Sequence, residues 1–326
     1  MSRSSMFPRF PTLVALSAAV VCLGAVPAEA ASSQTPDAAH PISGPQLAQR
    51  GGGGGRGGMG GGKMGGKIGK MGGDNSDSGS DSNAPGLDPE MMDAFMAMRA
   101  TNDAMDARGL FETGLRPVYP DGLNCQTGDS FFGSGLRGDG SNRSERYYGG
   151  RHGGFDIPAR GIDIIAMADG EVIVKSVGDN IGGIKVVLRH APEDTGLDQW
   201  TFTEYKHLKE PSPLDIGAKV RKGTPVGIAW NTGTTGGRAY GPGGHYHLHL
   251  SAWYNANGKF KKTPKMTIPR DGHWLDPLAM MRGGPLASSE ARDLADEDKQ
   301  VRFAYQTADG AVHPEGAKII WPFVCR

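Results

Sequence analysis

From Gly51 to Gly73 the chain is a glycine tract carrying Arg56, Lys63, Lys67 and Lys70, and Asp74, Asp77 and Asp81 follow in a serine-rich run. A stretch of this kind buries too little apolar surface to offset the entropy of ordering it. Whatever folds in these 326 residues must therefore be built from the remainder. A flexible linker is the simplest reading of the tract. Met59, Met64 and Met71 are too irregularly spaced to read as a soft-metal site.

Ahead of the tract, Arg3 and Arg9 precede an uncharged apolar run from Leu13 to Val26, and Ala28-Glu29-Ala30 follows. That pattern predicts a secretory leader cleaved after Ala30. The apolar run is short for a membrane-spanning helix, and Val21 before Cys22 argues against a lipidated cysteine. The mature chain is thus expected to be soluble and exported, to a periplasm or outside the cell, with no membrane insertion once the leader is gone. Only Cys125 and Cys325 then remain. In an oxidising compartment a disulfide between them is the natural expectation, with two free thiols as the rival. Basic and acidic side chains balance at 35 each, so bulk charge gives no reason to expect nucleic acid as a partner.

Asp88-Pro89-Glu90 combines an N-cap, a proline at the first helical position and an early acid, which predicts a helix running toward Gly109 with Met91, Phe95, Met98 and Met105 as its apolar face. Beyond Leu115 the pattern changes to short alternating runs between glycine-rich turns: Ile164 to Met167, Glu171 to Val177, Ile184 to Arg189, Trp200 to Leu208, Pro225 to Trp230 and His245 to Tyr254. Asp169-Gly170 reads as a two-residue hairpin turn. The fold class expected is mainly β, an antiparallel sheet carrying a groove. The predicted organisation is a leader (1–30), a low-complexity segment (31–86), a helical segment (87–114), the β domain (115–285) and a C-terminal extension (286–326).

Residues two apart on a strand share a face, so His247 and His249 of His247-Leu248-His249-Leu250 point together while the leucines face the core. His152 and Asp156 add an imidazole nitrogen and a carboxylate oxygen, both acceptable to zinc. With His249 they make three ligands, and a catalytic zinc site keeps its fourth position open where a structural site closes with four. His207 and His247 remain to handle a water or a developing oxyanion. One zinc ion and a hydrolytic site are the expectation.

These segments resemble the lysostaphin/LytM-type zinc metallopeptidases, a family of peptidoglycan endopeptidases, over roughly Phe131 to Leu278. The histidine-x3-aspartate motif falls on His152 and Asp156, the His-x-His motif on His247 and His249, and the Tyr-x-His-Leu segment on Tyr205 to Leu208. The resemblance implies zinc ligation by His152, Asp156 and His249, catalytic roles for His207 and His247, and a peptidoglycan peptide as substrate. Ala168 to Val172, Val220 to Gly223, Asn231-Thr232-Gly233 and Asp276-Pro277-Leu278 also fit. Leu250-Ser251 stands where the family usually has Phe-Glu, and Asp194 to Trp200 and Gly236 to Gly244 are longer than the family's loops. A tyrosine ahead of the first ligand assists in related enzymes, and Tyr147 or Tyr148 occupies that place.

His245 reads as the entry to the last strand and His190 as a structural residue, while His40, His273 and His313 carry no signal. Two other functions fit the same residues: a catalytically silent cell-wall module of this fold, or a zinc endopeptidase acting on polyglycine or exported proteins. The segment upstream of the β domain either packs on it or covers the groove, and packing is the expectation.

Overall fold

Asp88 caps the first helix as its sequence predicts, its carboxylate accepting from the Glu90 amide at 3.1 Å, with Pro89 opening helix α1 (Pro89–Phe95). The computed structural model describes residues 88–176, 182–234, 244–263 and 266–326, all within a unit spanning Gly72–Arg326. The leader and the glycine tract lie outside the described residues. The expected single helix is instead two. The chain leaves the helix at Met96, and Thr101 caps a second, α2 (Asn102–Ala107), by accepting from the Ala104 amide. Met98 falls in the break and is 51% exposed, whereas Met91, Phe95 and Met105 are buried.

The central element is a mainly antiparallel sheet of seven strands among the described residues: β1 (Phe155–Pro158), β2 (Gly170–Lys175), β3 (Ile184–His190), β4 (Trp200–Leu208), β5 (Lys219–Val220), β6 (His247–Asn255) and β7 (His273–Leu275). The order runs β7-β6-β4-β3-β2-β5, with β1 sharing the outer edge of β6. β1 pairs with the first half of β6 in the register Asp156↔His249, and β7 pairs with its second half.

Asp169-Gly170 does not close a hairpin. Asp163–Ile165 pairs with Pro225–Ile228 in a separate two-stranded sheet, so the strands on either side of the dipeptide are not partners. Asp169 is held elsewhere: its carboxylate accepts from the Lys222 amide at 2.8 Å and its carbonyl from His190 Nδ1 at 2.6 Å. Gly170 is required by close approach, because a Cβ there would meet the Arg189 carbonyl oxygen at 2.6 Å.

Both faces of the sheet are covered. On one side Phe155, Ile157, Val172, Val186, Leu188, Tyr205, Leu248 and Leu250 pack with Trp321 and Phe323 from the C-terminal segment. On the other, Val187, Phe202 and Trp253 pack with Trp274 and with Met91, Phe95 and Met105 of the two helices. Trp274 fixes that helical segment. Its indole stacks on Phe95 with ring centroids 5.0 Å apart and donates to the Ala94 carbonyl at 3.0 Å. An indole buried with its N–H satisfied combines a large apolar area with a directional bond. The helical segment therefore packs on the domain, as expected.

The C-terminal segment is tied in by Arg116–Val118 pairing in parallel with Gln300–Arg302, by reciprocal backbone bonds between Asn124 and Arg326, and by a disulfide between Cys125 and Cys325. Among the described residues no helix is long and apolar enough to cross a membrane.

Candidate metal centre

Pairing of β1 with β6 sets Asp156 directly opposite His249, and His152 lies on the loop entering β1. Gly154 permits this, since a Cβ on it would stand 2.5 Å from the Leu250 carbonyl oxygen and 2.8 Å from His249 Nε2. Three donor atoms then meet: His152 Nε2 to Asp156 Oδ1 is 3.0 Å, His152 Nε2 to His249 Nδ1 is 3.1 Å, and His249 Nδ1 to Asp156 Oδ1 is 2.8 Å. His152 and Asp156 are buried, and His249 is nearly so.

Each of the three is braced through its other polar atom. His152 Nδ1 donates to the Phe131 carbonyl at 3.0 Å, Arg143 Nη2 donates to Asp156 Oδ2 at 3.1 Å, and His249 Nε2 lies 3.0 Å from Ser251 Oγ. These braces decide whether a cation fits. A carbonyl only accepts, so the His152 proton sits on Nδ1 and its Nε2 presents a lone pair to a carboxylate oxygen 3.0 Å away. Burial holds His152 below the ordinary imidazole range, with Asp156 only partly opposing it. With His152 neutral, two lone-pair donors face each other across 3.0 Å, an arrangement that a positive ion between them would satisfy. Tetrahedral zinc with bonds of about 2.0 to 2.1 Å has ligand atoms roughly 3.3 Å apart, near the spacing found. The residues fit the ion.

His207 and His247 stand beside this trio, with ring centroids 4.7 Å apart and His207 5.8 Å from His249. Donor atoms of His207, His247 and His249 also lie within 4.8 Å of one another, so His249 is common to two possible metal-holding groups. His207 Nδ1 donates to the Thr232 carbonyl at 2.7 Å and His247 Nδ1 to the His245 carbonyl at 2.9 Å. In its neutral form each imidazole then has its lone pair on Nε2. Burial, then His247 and His249, hold His207 well below the ordinary imidazole range.

The placement of His207 depends on a backbone irregularity. Strict alternation along β4 would put it on the same face as Tyr205, in the core. Between β3 and β4 the register shifts, with Ile184 opposite Leu208 but Lys185 opposite Lys206, and His207 takes φ 64°. The bulge turns His207 onto the face that carries His247 and His249.

A buried ion cluster lies next along that face. Glu204 binds Lys185 at 2.6 Å and Lys206 at 2.7 Å, and Lys206 is the cross-strand partner of His249. Burial raises the Glu204 carboxyl, but the two lysines outweigh it and bring it down to about 2. Burial lowers His249 to about 3, and the Lys206 charge adds to that. For Asp156, burial pushes upward and is outweighed by His152 and His247, leaving the carboxyl well below its usual range.

The tyrosines differ in their commitments. Tyr148 donates its hydroxyl to the Phe95 carbonyl at 3.0 Å and packs edge-on against Trp274 at 5.4 Å, so it belongs to the helix contact. Tyr147 is half-buried, with the Arg146 guanidinium 5.8 Å from its ring. His245 stacks on His247 at 4.8 Å and reaches Asp129 at 4.0 Å, and the strand itself starts at His247. His190 is structural, bonded to Asp169 and Thr203. Gly236 to Gly243 of the longer loop lie outside the described residues.

Residues 150–260 match the sequence profile of peptidase family M23. They are an M23 peptidase domain. All five of His152, Asp156, His207, His247 and His249 lie within it, while Phe131 and Arg143 lie upstream. No curated protein matches the chain. Among solved structures, the catalytic domain of the antimicrobial peptidase lysostaphin from Staphylococcus simulans is similar at 22% identity, with 33% of this chain and 71% of that chain covered and a TM-score of 0.27. Lysostaphin from Staphylococcus simulans in a longer form is similar at 21% identity, with 33% of this chain and 38% of that chain covered and a TM-score of 0.26. A variant catalytic domain of the prophage-encoded M23 protein EnpA from Enterococcus faecalis is 20% identical over 44% of this chain and 92% of that chain, with a TM-score of 0.30.

Proposed function

We propose that this chain is an exported zinc-dependent endopeptidase that hydrolyses peptide cross-links of peptidoglycan. The observation that carries the reading is the meeting of His152 Nε2, Asp156 Oδ1 and His249 Nδ1 within 3.1 Å of one another, beside two imidazoles whose Nδ1 atoms are held by backbone carbonyls. The M23 match over these residues supports peptidase chemistry, and the family resemblance supplies the substrate class. The leader-like residues before Ala30 and the Cys125–Cys325 disulfide support export to an oxidising compartment.

Bound by His152, Asp156 and His249, a zinc ion would polarise the scissile carbonyl and lower the pKa of a water toward about 7. The chain's own residues do the rest. Nε2 of His207 or His247 accepts the proton of the attacking water and returns it to the departing amine. Thr232 and the His245 carbonyl hold the two rings in the tautomer this requires. Each positioned acid–base group is asked for about 10²-fold or more in rate. Tyr147 is the tyrosine assigned to the developing oxyanion, since the Tyr148 hydroxyl is bonded to Phe95.

The test is to incubate zinc-loaded protein with purified sacculi and resolve the products by mass. New amine and carboxyl ends at cross-links are expected. Intact cross-links, with His249→Ala indistinguishable from wild type in cells, would instead favour a silent cell-wall module. Cleavage of pentaglycine but not of sacculi lacking it would move the substrate to polyglycine.

A further inference from the structure

His249 has a choice that His152 does not. A neutral imidazole carries one N–H, and His152 must place it on Nδ1 because its neighbour there is a carbonyl. Both neighbours of His249 can accept: Asp156 Oδ1 lies 2.8 Å from Nδ1, and Ser251 Oγ lies 3.0 Å from Nε2. A proton on Nδ1 would bond to Asp156 and close two ligand atoms onto each other. A proton on Nε2 bonds to Ser251 and leaves the Nδ1 lone pair facing His152 and Asp156. The occupied face of the ring thus depends on how well Ser251 competes with a carboxylate.

We propose that Ser251 is a positioning residue that holds His249 in its Nε2–H tautomer and so keeps the metal pocket open. The claim rests on the zinc reading of the site. Ser251 follows His247 and His249 on the same face of β6, because strand side chains alternate. It is fully buried, so water has no access to replace its hydroxyl. Glu204, its cross-strand partner, is paired with Lys185 and Lys206. Position 251 is also where the resemblance set out above has glutamate, and in this chain the acceptor is a serine hydroxyl.

The test uses the whole protein, metal-free and zinc-loaded. Imidazole ¹⁵N spectra of metal-free protein, with the His249 signal assigned by its loss in His249→Gln, read the tautomer directly. Wild type is expected to show Nε2–H, Ser251→Ala to move toward Nδ1–H, and Ser251→Thr to stay with wild type. In competition with a chromophoric chelator, Ser251→Ala is expected to bind zinc about 10- to 100-fold more weakly, with Ser251→Thr close to wild type. Circular dichroism and thermal unfolding of the metal-free variants separate this from misfolding. A folded Ser251→Ala protein that keeps Nε2–H and wild-type zinc affinity would overturn the proposal. The expected tautomer and affinity changes without cleavage of sacculi would leave it standing while the proposed substrate fell.

Discussion

Arg143 reaches Asp156 from outside the M23 domain, its Nη2 lying 3.1 Å from Oδ2 and 2.6 Å from Ser130 Oγ. The same upstream stretch supplies the Phe131 carbonyl to His152. Asp156 and Ser130 also form an isolated antiparallel bridge. Residues that the family profile does not include therefore orient two of the three candidate ligands. Arg143 occupies Oδ2 and leaves Oδ1 to point at the trio. Arg143→Gln is expected to weaken zinc binding by about 10- to 100-fold, as loss of outer partners of metal ligands commonly does. Arg143→Lys keeps the charge but loses the planar fork and should fall between. Chelator competition measures both, and unchanged affinity in Arg143→Gln would remove Arg143 from the metal centre.

The role proposed for His207 separates proton handling from metal binding. Its ring is held through Nδ1 by Thr232, and its Nε2 faces His247 and His249. His207→Ala is expected to retain zinc stoichiometrically while kcat on a cross-linked peptide falls by about 10²-fold or more. His249→Ala should lose zinc and activity together. Metal content after dialysis, read beside turnover, checks the distinction, and a His207→Ala protein that loses its zinc would make His207 a ligand.

Much of the candidate site was legible because side chains able to hold a metal are sparse chemistry at fixed spacing. His152 and Asp156 across a turn, and His247 and His249 across a strand period, are found by counting. His207 was recognisable by its motif, yet alternation alone misplaces it: the bulge and positive φ that turn it are set by pairing with β3. Ser251 extends the His-x-His alternation by one more step and so had a signal in the sequence. Arg143 had none, since a loop residue thirteen positions before Asp156 is brought there only by tertiary folding. The helix break followed the same logic. Thr101 is a capping residue in plain view, but the 88–109 stretch reads as one apolar face until Met98 is seen to stand 51% exposed. Asp169-Gly170 failed as a hairpin because strand partnership is non-local, and Asp163–Ile165 finds Pro225–Ile228 instead.

The disulfide joins residues separated by 200 positions. On chain-entropy grounds, closing so long a loop stabilises the folded state by as much as about 5 kcal/mol. The paired variant Cys125→Ser with Cys325→Ser is expected to unfold at lower denaturant concentration, with a larger m-value from a less constrained unfolded chain. Urea unfolding followed by tryptophan fluorescence reports this directly, since Trp321 is buried in the same core cluster as both cysteines. Equal midpoints with and without reductant in wild type would show that the thiols are not paired.

Asp276 gives the stability a pH dependence opposite to that of most carboxylates. It caps helix Pro277–Arg282 by accepting from the Leu278 amide at 2.8 Å, and Thr113 Oγ1 donates to its other oxygen at 2.5 Å. Both contacts favour the charged form, but burial outweighs them and raises the carboxyl from 3.8 to about 6. The folded state thus binds this proton more tightly than the unfolded state does. Its contribution is fully present below about pH 4 and is lost as pH rises through about 6, by roughly 3 kcal/mol at most at 1.36 kcal/mol per pKa unit. Asp276→Asn retains a capping oxygen and cannot ionise, so its stability relative to wild type should improve between pH 4 and pH 7 by about that amount. Denaturant midpoints of the two proteins across that range check the sign. A difference that stays constant with pH would mean that Asp276 titrates alike in the folded and unfolded chains, and that the two hydrogen bonds fully offset its burial.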